Sequence, residues 1–286
     1  MNTILVLTDF SKSAACAAEA GLVLSEKLRT DLLLFNTCVD YATIPSYSGG
    51  VWIVDEFSER KNQSKLGLAM LAEELESLCD QLDPHDRRPG IYWQSEDSDL
   101  GLNVAEIIRE RAIELVVMGA RSETIEDFPT GWDTNSVIKN TTRPILVIPF
   151  PTDLKGICKV IFATDFDESD IKAVHFLTKL GKLFNYQIEI IHISGPETHV
   201  RTKIIKEEAF KKQIAELKYH GLTYLEVKGE DVVDKLNHIV RDNGCGLLAM
   251  LHHQYPFFVR IFKHSQTKKV LSNQKIPLLI FPSKMQ

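Results

Sequence analysis

Residues 116–122 read VVMGARS, residues 130–135 read TGWDTN and residues 143–148 read RPILVI. The first segment begins with a continuous apolar run, and the last segment consists mainly of one. Such runs are typical of parallel strands that are buried on both faces. Between them, a loop that begins at a glycine leads into a polar segment typical of a helix N-terminus. In an α/β sheet this order places backbone N–H groups beyond the carboxyl end of a strand, where anionic ligands bind. The stretch therefore predicts a phosphate site.

The N-terminal segments predict a strand, a helix and a second strand. Residues 2–9 form a mainly apolar run that ends in Asp9, and an alanine-rich helical segment extends from residue 12 to residue 29. We expect the Ser11 hydroxyl to cap this helix, because it can accept a hydrogen bond from an N–H group of the first turn. Residues 31–38 are again mainly apolar, so the unit is a parallel βαβ.

The chain repeats this pattern. Residues 8–10, TDF, recur as residues 164–166, an offset of 156 residues. The later segments keep the same order, with residues 31–38, 103–117 and 144–149 matched by residues 187–194, 235–249 and 277–282.

Each half therefore predicts five strands that alternate with four helices. The fold class is α/β, with two tandem doubly wound, mainly parallel five-stranded sheet domains. We place the domains at residues 1–151 and 157–286, with a polar linker over residues 152–156. The first half also carries a long loop over residues 40–55, followed by a helix from about residue 56 to residue 82.

Composition excludes several classes of protein. A net charge of −6 and a pI near 5.9 argue against a nucleic-acid-binding protein, whose binding face would be basic. No apolar run approaches the roughly 20 residues that a membrane span needs. The chain enters its first strand without a basic leader or a long apolar stretch, so we expect a cytoplasmic protein.

Metal binding, disulfide formation and catalysis find little support in the sequence. The five cysteines are scattered and form no C-x-x-C pair, so we expect free thiols that behave as small buried hydrophobes. His252, His253 and His264 lack a partner at a spacing typical of metal ligands, and we expect no metal other than Mg²⁺ that accompanies a nucleotide. The sequence has no nucleophile elbow, Walker motif or H-E-x-x-H, so we predict no catalytic residue. The enzyme question stays open, with a non-enzyme favoured.

These segments together resemble the universal stress protein family, as a tandem of two domains. The resemblance rests on a first strand that ends in an acid, the Val-Val-Met-Gly strand, the loop, the Gly-led helix and the terminal Pro-Ile-Leu-Val-Ile strand. It implies a Rossmann-like fold, similar to the adenine nucleotide alpha hydrolases, in which the two domains are related by a pseudo-twofold axis. It also implies that the terminal strands of the two domains pair, so that the chain imitates a homodimer.

The resemblance further implies a site for ATP in the first domain. Members of the family that bind ATP carry a loop of the form Gly-x-x-Gly, nine residues, Gly-Ser/Thr. Here Gly119 matches the first glycine, Ser122 replaces the second, Gly131 matches the third after a one-residue deletion, and Trp132 replaces the hydroxyl residue. The resemblance implies these ligand residues: Thr8, Asp9, Phe10, Val39, Met118, Gly119, Arg121, Ser122, Gly131, Asp133 and Thr134.

Two interpretations of this loop stay open. Arg121 could bind a phosphate through two hydrogen bonds, which favours a true ligand site. Asp133 would repel a phosphate and satisfy the helix dipole itself, which favours a degenerate loop that is kept for the fold. In the second domain the matching loop, residues 251–258, has no glycine, and His264-Ser265 stand where the family has Gly-Ser. We therefore expect a nucleotide only in the first domain.

Three functions follow, in order of preference. The first is a non-enzymatic cytoplasmic stress-response protein whose first domain binds an ATP-like nucleotide, and whose second domain is structural or binds a protein partner. The second is a weak Mg²⁺-dependent nucleotide hydrolase, for which Asp9 and Asp133 are the available carboxylates. The third is a ligand-free scaffold that uses the aromatic segment over residues 255–262. Further association of two tandem chains stays open.

Overall fold

The computed structural model describes residues 2–38, 52–80, 87–120, 134–194, 201–229, 232–242, 244, 246–252 and 276–285. The chain divides into two compact units, Met1–Phe150 and Pro151–Gln286. The segment predicted as the linker, residues 152–156, therefore belongs to the beginning of the second unit.

The first unit is a parallel sheet with the strand order β3-β2-β1-β4-β5. This confirms the predicted five-stranded, doubly wound arrangement. The described elements of this unit are β1 Thr3–Leu7, α1 Lys12–Leu28, β2 Asp31–Cys38, α2 Trp52–Cys79, β3 Ile91–Asp97, α3 Leu100–Glu110, β4 Ile113–Gly119, α4 Thr134–Asn140 and β5 Ile145–Ile148.

The second unit repeats the topology, with the strand order β10-β9-β6-β7-β8 and parallel pairing throughout. The predicted helix between its last two strands falls outside the described residues. The described elements are β6 Lys159–Ala163, α5 Asp170–Phe184, β7 Gln187–Ser194, α6 Arg201–Glu216, β8 Leu222–Lys228, α7 Val232–Asp242, β9 Leu247–Leu251 and β10 Leu278–Phe281.

The central strands are buried because helices cover both faces of each sheet. Ile4, Leu5 and Val6 of β1 are fully buried, although successive side chains point to opposite faces. The small side chains of α1 let that helix approach the sheet closely. A Cβ atom added to Gly21 of α1 would lie 2.5 Å from Cγ2 of Val6, so this contact requires a glycine.

The ends of two helices test the sequence predictions. Ser11 is the N-cap of α1 as predicted, and its Oγ accepts a hydrogen bond from the backbone N–H of Ala14 at 3.2 Å. Helix α2 begins at Trp52, earlier than the predicted residue 56, and ends at Cys79. The aromatic and β-branched residues 52–54 have only middling helix propensity, so the sequence pattern placed them in the preceding loop.

The cysteines are only partly as predicted. Cys16, Cys79 and Cys158 are free thiols, and Cys79 is buried. Cys158 is exposed, which contradicts the prediction of a buried hydrophobe. It lies in the segment that enters β6, before the sheet can cover it. In the described part of the chain, no helix combines the length and apolar character that a membrane span requires.

Candidate functional site

The topology of the first unit defines where a ligand would bind. From β1 the chain proceeds to β2 and β3 on one side, and it then crosses to β4 and β5 on the other. The strand order therefore reverses between β1 and β4. In open α/β sheets, ligands bind beyond the carboxyl ends of the strands at this switch point. The residues that follow β1 and end β4 are Thr8-Asp9-Phe10 and Met118-Gly119, which are five of the predicted ligand residues.

The turn after β1 is fixed by hydrogen bonds from its own residues. Thr8 is fully buried, and its Oγ1 accepts from the backbone N–H of Phe10 at 3.1 Å. Asp9 is exposed, and its Oδ1 accepts from the backbone N–H of Ser11 at 3.0 Å. Phe10 adopts the left-handed conformation with φ 62°, which non-glycine residues seldom adopt. The turn thus directs Thr8 inward and presents Asp9 outward.

A chain of hydrogen bonds joins this turn to α2 and β3. The amide of Asn36 donates to the carbonyl oxygen of Thr8 at 2.7 Å. Ser64 of α2 donates to Oδ1 of Asn36 at 2.5 Å, and its Oγ lies 2.9 Å from Oγ of Ser95. Because Ser64 has a single hydroxyl proton, Ser95 is the donor in that last bond. Sequence reasoning missed Asn36, Ser64 and Ser95, since a polar residue within an apolar strand gives no sign of its partner.

Phe10 packs against α2 at a notch that only glycine leaves open. A Cβ atom added to Gly67 would lie 2.8 Å from Cε1 and 2.9 Å from Cζ of the Phe10 ring. Even so, 45% of Phe10 remains exposed. The ring is therefore held from one side by the helix, with the rest of its surface open among the described residues.

Gly119 ends β4 in direct contact with the first turn of α1. An added Cβ atom would lie 2.6 Å from the backbone N of Ala14 and 2.6 Å from the backbone C of Ser13. These are backbone atoms that cannot rotate away, so packing alone requires the glycine. Met118 is buried and pairs with Leu7 in the sheet. The close contact brings the N-terminus of α1, with its partial positive charge, beside the end of β4.

The remaining predicted ligand residues lie outside the described part of the chain. They are Val39, Arg121, Ser122, Gly131 and Asp133. Thr134 is the first residue of α4, and only its backbone is described. The described half of the site thus consists of the β1 turn, the end of β4 and the first turn of α1.

The second unit builds the same turn with different partners. Phe166 has φ 63°, and its N–H donates to Oγ1 of Thr164 at 3.1 Å. His192 takes the place of Asn36, and its Nδ1 lies 2.8 Å from the carbonyl oxygen of Thr164. Since carbonyl oxygen only accepts, Nδ1 carries the proton in this bond. The left-handed residue is therefore a property of the fold, common to both units.

Aromatic side chains enclose the turn of the second unit. Phe166 is only 3% exposed. Its ring centroid lies 4.3 Å from that of His192, 5.7 Å from that of Phe210 and 6.4 Å from that of Tyr224. The space that is open around Phe10 in the first unit is occupied here by the protein itself.

A charged group lies at the edge of this aromatic cluster. Tyr224 donates to Oε1 of Glu207 at 3.0 Å, and Nζ of Lys211 lies 2.6 Å from the same oxygen. Burial pushes the pKa of Glu207 upward, but the bonds from Lys211 and Tyr224 outweigh it and hold the pKa below its usual value. Burial, and then the Glu207 carboxylate, raise the pKa of Tyr224. The cluster is thus braced by a carboxylate that stays ionised.

The comparisons with known proteins identify the family. The family model described as the universal stress protein family matches residues 1–149 and again residues 157–282. The chain belongs to the universal stress protein family. It is a tandem member, because the two matches cover the two halves of the repeat. A search of curated proteins finds no match to the chain.

Solved universal stress proteins share the fold over the full length of the chain. A universal stress protein from Archaeoglobus fulgidus aligns with a TM-score of 0.66 and 15% identity, covering 98% of this chain and 96% of that chain. A putative universal stress protein from Pseudomonas aeruginosa aligns with a TM-score of 0.58 and 13% identity, covering 99% and 93%. At these identities the likeness shows the fold alone.

The structure also bears on whether the histidines could bind a metal ion. His252 follows β9 and is half-buried, whereas His253 and His264 lie outside the described residues. Among the residues that the structure describes, no three His, Cys, Asp or Glu side chains come together as metal ligands would.

A cavity of about 510 Å³ lies at the opposite edge of the first unit from the switch point. It is lined by the C-terminal part of α2, including Glu73 and Glu76, by Asp80 directly after that helix, and by the residues that enter β3 at Ile91. Because Ile91 begins its strand, this is the amino edge of the sheet. The cavity is therefore separate from the switch-point site of this universal stress protein.

Proposed function

We propose that this universal stress protein is a non-enzymatic stress-response protein of the cytoplasm that binds one adenine nucleotide in its first unit. The observation that carries the proposal is the contrast between the two repeats. Phe10 is 45% exposed at the first switch point, whereas Phe166 is 3% exposed at the second. We further propose that the two units form an intramolecular pseudo-dimer.

The exposed carboxylate beside the first switch point supports this proposal. Asp9 uses Oδ1 to accept from the N–H of Ser11, so its other oxygen, Oδ2, is available to a ligand. A carboxylate accepts strongly from amino and hydroxyl groups, which adenine and ribose both carry.

The contact between Gly119 and α1 supports the phosphate part of the proposal. Because the first turn of α1 packs directly on the end of β4, the positive end of the helix dipole lies beside the point where the loop departs. A phosphate that lies over this region gains from the dipole without a basic side chain.

Among the described residues of the second unit, aromatic side chains fill the space around the equivalent turn. Phe166, His192, Phe210 and Tyr224 occupy the region around the turn, and the cluster is held by Glu207 and Lys211. A ligand would have to displace packed aromatic rings, which costs the packing energy of the cluster. We therefore assign a structural role to this unit.

The test is isothermal titration of the whole chain with ATP in the presence of Mg²⁺. We expect one site per chain. Asp9→Ala should weaken binding by roughly tenfold to hundredfold, because a charge-assisted hydrogen bond contributes roughly 1.5–3 kcal/mol. The matched control is Asp165→Ala, which removes the equivalent exposed acid of the second unit and should leave the affinity unchanged.

Two results would contradict the proposal. If the wild-type chain binds no nucleotide, the first unit has lost its ligand and the protein acts as a scaffold. If bound ATP is turned over, with phosphate released in a Mg²⁺-dependent manner, the non-enzymatic assignment is wrong and the hydrolase alternative takes its place.

A further inference from the structure

Resting on the proposed function, we propose that the Phe10 ring is the platform on which the base of the ligand stacks. The ligand is then selected for its planar aromatic base as well as for its phosphates. This gives Phe10 a direct role in binding.

The position of the ring is fixed before any ligand arrives. The N–H of Phe10 donates to the buried Oγ1 of Thr8 at 3.1 Å, and the residue is held at φ 62°. The ring rests in the notch of α2 at Gly67, where even a methyl group would lie within 2.9 Å of two ring carbons. A ring that is already ordered loses little conformational entropy when a base stacks on it.

The second unit shows what the same turn does when no ligand is needed. There the equivalent ring is covered by His192, whose ring centroid is 4.3 Å away at an interplanar angle of 35°. The first unit has Asn36 in that place, and its amide is occupied by Thr8 and Ser64. Strand β7 therefore supplies an aromatic partner for Phe166, whereas the equivalent position in β2 supplies no aromatic partner for Phe10.

The exposed face of the Phe10 ring is a surface on which a planar base can stack. A base stacked on an aromatic side chain gains about 1–3 kcal/mol by alanine substitution, a change of roughly tenfold to hundredfold in affinity. Asp9 lies next to Phe10 in the chain and is also exposed, so a base that stacks on the ring meets a hydrogen-bond acceptor nearby. Inorganic phosphate has no base, so it would contact neither the Phe10 ring nor the Asp9 carboxylate in this way.

The experiment compares the affinity of the whole chain for MgATP with its affinity for magnesium tripolyphosphate, which has no base. Phe10→Leu keeps an apolar side chain in the Gly67 notch but removes the π-face. We expect it to weaken MgATP binding at least tenfold and to leave tripolyphosphate binding unchanged. Phe10→Tyr keeps the ring and should bind MgATP as the wild type does.

A matched control is Tyr92→Leu, which makes the same kind of change at an aromatic residue that is 56% exposed at the amino edge of the sheet. It should leave both affinities unchanged. Thermal unfolding of each variant without ligand reports whether the turn is intact.

The outcomes separate this inference from the proposed function. If the wild type binds MgATP and Phe10→Leu binds it equally well, stacking is wrong while nucleotide binding stands. If Phe10→Tyr loses affinity as much as Phe10→Leu, the effect comes from the shape of the turn and stacking is again wrong. If the wild type does not bind MgATP, both proposals fall together.

Discussion

The pKa of Asp170 depends strongly on the surroundings of its carboxyl group in the folded protein. It begins α5 and is fully buried, with Oδ2 accepting from Oγ1 of Thr164 at 2.5 Å and from the N–H of Asp167 at 3.0 Å. Oδ1 is buried without a hydrogen-bond partner among the described residues. Burial raises the pKa of Asp170 to about 7, and the charges of Asp165 and Asp167 add to this, although the two hydrogen bonds oppose it.

This raised pKa predicts a pH dependence of stability. The unfolded carboxyl group titrates near pH 4, so its contribution to the free energy of unfolding is fully present below pH 4 and is lost as the pH rises to about 7. The Asp170→Asn variant has no ionisable group at this position, so its free energy of unfolding should not fall in this way. We expect the stability difference between the variant and the wild type to grow over this range by up to about 4 kcal/mol.

Urea denaturation of both proteins from pH 4 to pH 8 measures this difference. The pH slope is the readout, since the amide also changes stability by a constant amount. Glu208→Gln is the matched control, because it removes an exposed carboxylate that has no part in the Asp170 cluster. Parallel pH profiles for the wild type and Asp170→Asn would show that folding does not raise the pKa of this carboxyl group.

At the scale of elements, the packing of α1 on β4 shapes the candidate site. The family resemblance matched Gly119 to the first glycine of the nucleotide-binding loop. The structure gives this glycine a further role, because the backbone of Ser13 and Ala14 occupies the space of a side chain. The same residue thus joins the helix whose N-terminus faces the site to the strand at which the loop begins.

Gly119→Ala should therefore destabilise the first unit even without a ligand. The added methyl group would lie 2.6 Å from two backbone atoms, and relief requires α1 to move off the strand. We expect a loss of about 1–3 kcal/mol in the free energy of unfolding, measured by urea denaturation. The control is Gly156→Ala, where the nearest atom is the side-chain Oδ2 of Asp153 at 3.0 Å. Equal effects of the two substitutions would argue against a specific contact at Gly119.

At the scale of the whole molecule, the two units share one topology but differ in how far they bury the same turn. Both keep the Thr-Asp-Phe turn with its left-handed phenylalanine. The first copy leaves that residue exposed and braces the turn with small polar side chains, whereas the second encloses it with aromatic rings. Our proposal follows this difference, with binding assigned to the first half and a structural role to the second.

This division predicts the stoichiometry of binding. The chain should bind one nucleotide, and a ligand at 100 times its Kd should stabilise the folded first unit by about 2.7 kcal/mol. Titration calorimetry gives the number of sites, and thermal unfolding with and without MgATP gives the stabilisation. Two equivalent sites per chain would contradict the assignment of a structural role to the second unit.

The sequence by itself determined the order of strands and helices, the parallel pairing, the repeat and the Ser11 cap. These depend on the spacing of apolar residues and on neighbours within a few positions, which a sequence displays directly. It also located the switch-point residues after β1 and at the end of β4.

Only the tertiary structure decided what those residues do. The partners of Phe10, Asn36 and Gly119 are Gly67, Ser64 and the backbone of Ser13 and Ala14, which lie far away in the chain. The burial that raises the pKa of Asp170 and encloses Phe166 likewise comes from packing across several elements. The spacing of apolar residues along the sequence determines which helices and strands form. Contacts between distant residues determine which side chains are buried. This burial decides whether the phenylalanine of the Thr-Asp-Phe turn is exposed or enclosed.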